Sequence, residues 1–171
     1  MDNERLIFPG ILIAAVVIIA ILVASVVGNS TFSSGNMYFE YPKSWNQDHA
    51  VGSFDGSSLY SEVTLTANIP DDQSPTSYIV IQIQKKAKGT LQLPGTNEIV
   101  MNTTNSTIGT TNIGNINATQ LGTYGPSIAQ KVTIIETSDS YIVLEYICPL
   151  NAVNQTEESY NMILKTLKFQ K

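Results

Sequence analysis

Three features of the 171-residue sequence predict an α+β fold, with an antiparallel sheet flanked by helices and one N-terminal transmembrane helix in front. An uncharged apolar block stands near the start. Several segments beyond it alternate apolar and polar residues with period two. The last twenty residues carry an apolar stripe at helical spacing. Segments that alternate in this way, closed by a helix, point to antiparallel strands with one packed face.

The apolar block is Leu6 to Val27, LIFPGILIAAVVIIAILVASVV. At about 1.5 Å per residue it spans roughly 33 Å, enough for a hydrocarbon core of about 30 Å. Pro9 and Gly10 fall in the first turn, where a missing amide is tolerated best. A cleaved signal peptide has a shorter apolar region and a basic start, whereas MDNER contains Asp2 and Glu4 beside Arg5. Val23-Ala24-Ser25 could pass as a small-residue cleavage site, so a cleaved segment is the alternative to the anchor. Arg5 and the amino terminus precede the block, and the next basic residue is Lys43. The positive-inside rule therefore puts residues 1–5 in the cytoplasm, the anchor at 6–27 and the rest of the chain outside, at the cell surface.

Residues 28–36, GNSTFSSGN, read as a linker, and the folded domain is expected over 37–171. Met37–Tyr41 is a short aromatic strand stopped by Pro42. Asp55-Gly56 is a two-residue hairpin signal between 51–54 and 58–60. Glu62–Ile69 alternates cleanly, with Val63, Leu65, Ala67 and Ile69 on one face. Tyr78–Gln84 repeats the pattern with Ile79, Ile81 and Ile83. Lys85, Lys86 and Lys88 then read as a solvated strand end. Residues 89–117 are rich in Thr, Asn and Gly and weakly apolar, and read either as an irregular surface segment or as one with a short helix near 97–101. Residues 118–123 and 129–136 form an expected hairpin. Tyr141–Cys148, YIVLEYIC, is apolar on both faces and so expected at the sheet centre. Asn154 with Glu157 three residues on resembles a capping box. Tyr160, Ile163, Leu164 and Leu167 give the i, i+3, i+4, i+7 stripe. Burying those four contributes roughly 6–12 kcal/mol before entropy is charged.

Composition excludes several function classes. One Cys and one His rule out a disulfide scaffold and multi-histidine zinc chemistry. Nine Lys+Arg against fourteen Asp+Glu speak against nucleic acid as a partner. His49 beside Asp48 could act as a general base only with a converging nucleophile. An exposed loop is the plainer reading. Asp71-Asp72 lack the spacing of a calcium loop, and no cofactor or metal site is expected. Cys148, inside an apolar run, is expected to be a buried, inert thiol. Asn-x-Ser/Thr sequons at Asn29, Asn102, Asn105, Asn117 and Asn154 suit an extracytoplasmic glycoprotein. Plain richness in Asn and Thr accounts for them equally well. Tyr38, Tyr41, Trp45 and Tyr60 could line an aromatic groove or simply form core.

The order of motifs also resembles a known family. Phe39-Glu-Tyr41-Pro42-Lys-Ser-Trp45 opens the domain, and two alternating strands follow. Then come Gly114-Asn-Ile-Asn-Ala118, the Tyr141–Tyr146 strand and a helix ending in Leu167-Lys168-Phe169. Over about residues 36–170 this is similar to the PsbP-like family, and more narrowly to its membrane-anchored relatives in methanogenic archaea. The resemblance implies a sheet sandwiched by helices and a non-enzymatic role in assembling or stabilising a membrane complex. It supplies no partner and no metal position for this chain. The expected function is a non-enzymatic, membrane-anchored module that binds or stabilises a protein partner outside the cytoplasm. A receptor domain for a small molecule or cell-wall glycan is the alternative, and a hydrolase a distant third.

Overall fold

The computed structural model describes residues 28–67, 77–88, 91, 107–113 and 116–169. The apolar segment 6–27, the Asp71-Asp72 loop, the possible helix at 97–101 and the sequons at Asn102 and Asn105 lie outside the described residues. No helix among the described residues is long and apolar enough to cross a membrane.

Ten strands and one long helix are described. They are β1 (Asn29–Ser34), β2 (Met37–Pro42), β3 (Trp45–Val51), β4 (Tyr60–Ala67), β5 (Ser77–Lys85), β6 (Thr107–Ile113), β7 (Ile116–Tyr124), β8 (Ile128–Glu136), β9 (Ser140–Pro149), α1 (Val153–Thr166) and β10 (Lys168–Phe169). The fold is α+β, as expected. A seven-stranded sheet runs β3-β4-β5-β9-β8-β7-β6, and every neighbouring pair is antiparallel. A second sheet of three strands, β1-β2-β10, packs with α1 over one face of the first.

The alternation read from the sequence decides which residues enter that interface. Val63, Leu65, Ile79, Ile81, Ile142, Leu144 and Tyr146 meet Phe32, Met37, Phe39 and Tyr41 from the small sheet and Tyr160, Ile163 and Leu167 from α1. Phe32 stacks on Phe39 at 4.9 Å and takes Phe54 edge-on at 5.1 Å. β9 sits centrally between β5 and β8, as a strand apolar on both faces should.

Four expectations need correction. The stretch 28–36 is no free linker: β1 pairs with β2 along its length, because Phe32 gains burial between Phe39 and Phe54. Asp55-Gly56 does turn the chain, with Gly56 at φ +86° and the Ser57 amide bonded to Asp55 Oδ1. It lies inside a longer loop, however, because the β3–β4 ladder stops at Val51↔Glu62 and Phe54 is drawn into the core. Asn154 does not cap α1. Ala152 holds the N-cap position after a 3-10 turn that follows Pro149, and Glu157 is drawn across to Lys131. Two of the lysines at the end of β5 are paired: Lys85 with Asp139 at 2.5 Å and Lys86 with Glu136 at 2.7 Å.

Candidate functional site

The predicted aromatic groove maps onto separate surroundings. Tyr41 and Trp45 are buried in the core, and the Trp45 indole donates to Ser159 Oγ at 2.9 Å. Tyr38, one residue out of phase on β2, faces the other way, with the Lys168 ammonium 5.5 Å from its ring. Its hydroxyl donates to Glu40, which raises its pKa. Tyr60 lies on β4 with its hydroxyl donating to Glu62; burial first, and then that carboxylate, raise its pKa. His49 is exposed on β3, and the neighbouring Asp48 carboxylate accepts from Thr66. Asn29, Asn117 and Asn154 are all exposed. The Asn29 amide donates to Glu40. In the Asn154 sequon, Thr156 is buried inside α1, where its hydroxyl meets Tyr146 at 2.8 Å. Cys148 is a buried free thiol with its pKa raised by burial.

Sequence reasoning missed two features. The first is a pair of separate polar clusters on the far face of the large sheet. Gln84 Nε2 donates to Gln82 Oε1 at 2.8 Å, and Gln82 Nε2 to Glu62 Oε2 at 2.8 Å. On the neighbouring β9, Glu145 is 1% exposed and accepts from Gln130 Nε2. Its rung partners are Val80 and Val132. A lone charge inside YIVLEYIC was the available signal, since a buried carboxylate requires a built partner.

The second feature lies at the β6 end of the large sheet. β6 is the outermost strand, with β7 as its only neighbour among the described residues. Its sequence, TIGTTNI, contains no charge and no proline. Ile108 on β6 is 75% exposed, and Tyr124 and Ile116 on β7 are 46% and 38% exposed. Gly109, Gln120, Gly122, Tyr124 and Lys131 line a cleft of about 220 Å³ on the helix-bearing side; Ile108 also borders it, although its rung partner Leu121 sets its side chain on the far face. A Cβ at Gly109 would meet nothing within 4 Å, so the cleft is open there. The inner wall is fixed by bonds: Gln120 Nε2 donates to Thr133 Oγ1 at 3.0 Å, Thr133 and Tyr160 share a hydroxyl bond at 2.5 Å, and Lys131 pairs with Glu157. Burial pushes the Tyr160 phenol up to about 12.

The opposite edge of the same sheet is built differently. β3 carries a register shift between Gln47 and His49, with Asp48 at the bulge. Bulges and charges are the devices that keep an edge strand from pairing, so β3 is guarded, and β6 is open as far as the described residues go.

No family model matches the chain, and no curated protein matches it. Solved structures do. LpqN of Mycobacterium tuberculosis, described as involved in cell envelope biogenesis, is 16% identical, with a TM-score of 0.50 over 84% of this chain and 91% of that one. A protein from Bacteroides thetaiotaomicron is 13% identical, with a TM-score of 0.49 over 82% of this chain. This chain spans about half, 48%, of the Bacteroides protein. The likeness to LpqN is one of fold.

Proposed function

We propose that this protein is a non-enzymatic, membrane-tethered module of the PsbP-like kind. Its body stands outside the cytoplasm, and it binds or stabilises a protein partner through the open β6 edge. The observation that carries this reading is the contrast between the two edges of one sheet. β3 bears a bulge and an acid, whereas β6 is straight in register, uncharged and flanked by exposed Ile108 and Tyr124. An unpaired edge strand offers a row of backbone donors and acceptors, and an extended segment of another protein satisfies them rung by rung. The cleft of about 220 Å³ beside it is smaller than the roughly 300–1,000 Å³ of small-molecule sites and suits one anchoring side chain of a bound strand. Segment 6–27 supplies the tether. LpqN, of the same fold, is involved in cell envelope biogenesis, and an envelope setting is what the tether argues for here.

The test is capture from detergent-solubilised membranes with the full chain as bait. The wild-type protein should recover a stoichiometric protein partner. Thr110→Lys should lose it, because a lysine in the middle of β6 guards the edge. Recovery of the same partner in the same amount by both proteins would remove the β6 reading.

A further inference from the structure

We infer that the strand seated on β6 is β6 of a second copy of this chain, paired antiparallel about a two-fold axis through Thr110. The inference rests on the reading of β6 as the interaction edge. The β6–β7 ladder closes on Ile113↔Ile116, with two residues between the strands. The pair that closes so short a hairpin is hydrogen-bonded. Bonded pairs alternate along an antiparallel ladder. Thr107, Gly109, Thr111 and Ile113 therefore bond inward to β7, and Ile108, Thr110 and Asn112 present their amides and carbonyls outward. With Thr110 opposite Thr110 of the second copy, Ile108 falls opposite Asn112 and Asn112 opposite Ile108. Every outward group then has a partner.

Three observations favour a second copy as the occupant. The strand has no charge, so self-pairing sets no like charges opposite each other, although the chain's net charge is −5. The exposed Ile108 gains a cross-strand neighbour, which no described residue supplies beyond β6. The bulged, acidic β3 edge cannot continue the sheet, so the pairing closes as a dimer and does not grow into a fibre. The outer edge of β1 is also uncharged, but its one large apolar side chain, Phe32, is buried. A seam of two short strands is smaller than a standard interface. Confinement of both copies to one membrane raises their effective concentration and offsets that shortfall.

The experiment is oxidative cross-linking of the full chain in membranes. A hydrogen-bonded antiparallel pair sets its Cα atoms about 5.5 Å apart, within the roughly 4.4–6.8 Å that a disulfide spans. Thr110→Cys should run as a covalent dimer after added oxidant. The wild type, whose Cys148 is buried, and Gln47→Cys on the β3 edge should stay monomeric. Thr110→Pro, which removes an outward amide only, should convert the detergent-solubilised dimer to monomer with its melting temperature retained. A folded Thr110→Cys protein that stays monomeric overturns self-pairing. If Thr110→Lys nevertheless strips a different protein from the wild-type capture, the open-edge reading stands and only the second copy is excluded. If Thr110→Lys changes nothing, both fall.

Discussion

Ser159 shows how much one hydroxyl can hold. It is the acceptor for the buried Trp45 indole, and so ties the start of β3 to the middle of α1. Ser159→Ala leaves that N–H without its partner and should cost about 1–3 kcal/mol in a urea titration. Phe39 is fully buried against Phe32, and Phe39→Ala should cost about 3–5 kcal/mol by the same measurement. Asp139 makes a prediction about acid. The Lys85 ammonium, followed by the Ser140 hydroxyl, holds its carboxyl down to about 2. A depressed carboxyl stabilises the fold above its ordinary value near 4 and stops doing so as pH falls toward 2. Wild type and Asp139→Asn should therefore differ in thermal stability at pH 6 and converge between about pH 4 and pH 2. At this scale the sequence was readable where a residue's own pattern decided its fate. The inward set Val63, Leu65, Ile79 and Ile81 and the buried Cys148 were visible in it. The Trp45–Ser159 bond and the Glu145–Gln130 pair were not, because each joins residues far apart in sequence.

Single elements stand or fall by their turns. Gly35 links β1 to β2 at φ +55°, and a Cβ there would lie 2.2 Å from the Asp55 amide nitrogen. That amide belongs to backbone and cannot move aside cheaply, since the Asn36 amide also bonds to the Phe54 carbonyl at 2.9 Å. Gly35→Ala should destabilise by at least about 2 kcal/mol, combining left-handed backbone strain with a clash. Thr110→Lys, on an exposed edge, should change stability by no more than about 0.5 kcal/mol. The pair of variants separates a structural turn from an interaction edge. Strand legibility follows the same logic. β4, β5, β8 and β9 have the core beneath them, so period-two alternation is written into their sequences. β1, β3 and β6 are edges: past Trp45, every residue of β3 is exposed. With little buried side-chain surface, nothing selects an apolar alternation, and polar Thr- and Asn-rich segments read as loops. β6 was hidden in the sequence for the reason that makes it the open edge.

For the whole molecule, the small sheet and α1 close one face of the large sheet while its two edges are left to opposite fates. The α+β class, the central place of β9 and the closing helix were legible, because burial leaves periodic marks. The division of strands into two sheets was not, since it depends on Phe32 and Phe39 finding Phe54 and the helix in space. The filled core and the uncharged β6 edge, with β7 as its only neighbour among the described residues, are the two features of the molecule on which the proposed function rests. The most direct test places a photo-cross-linking residue at position 110, and separately at position 47, in the full chain in native membranes. Position 110 should give a protein adduct and position 47 none. Equal labelling from both positions, or none from position 110, would contradict the β6 reading.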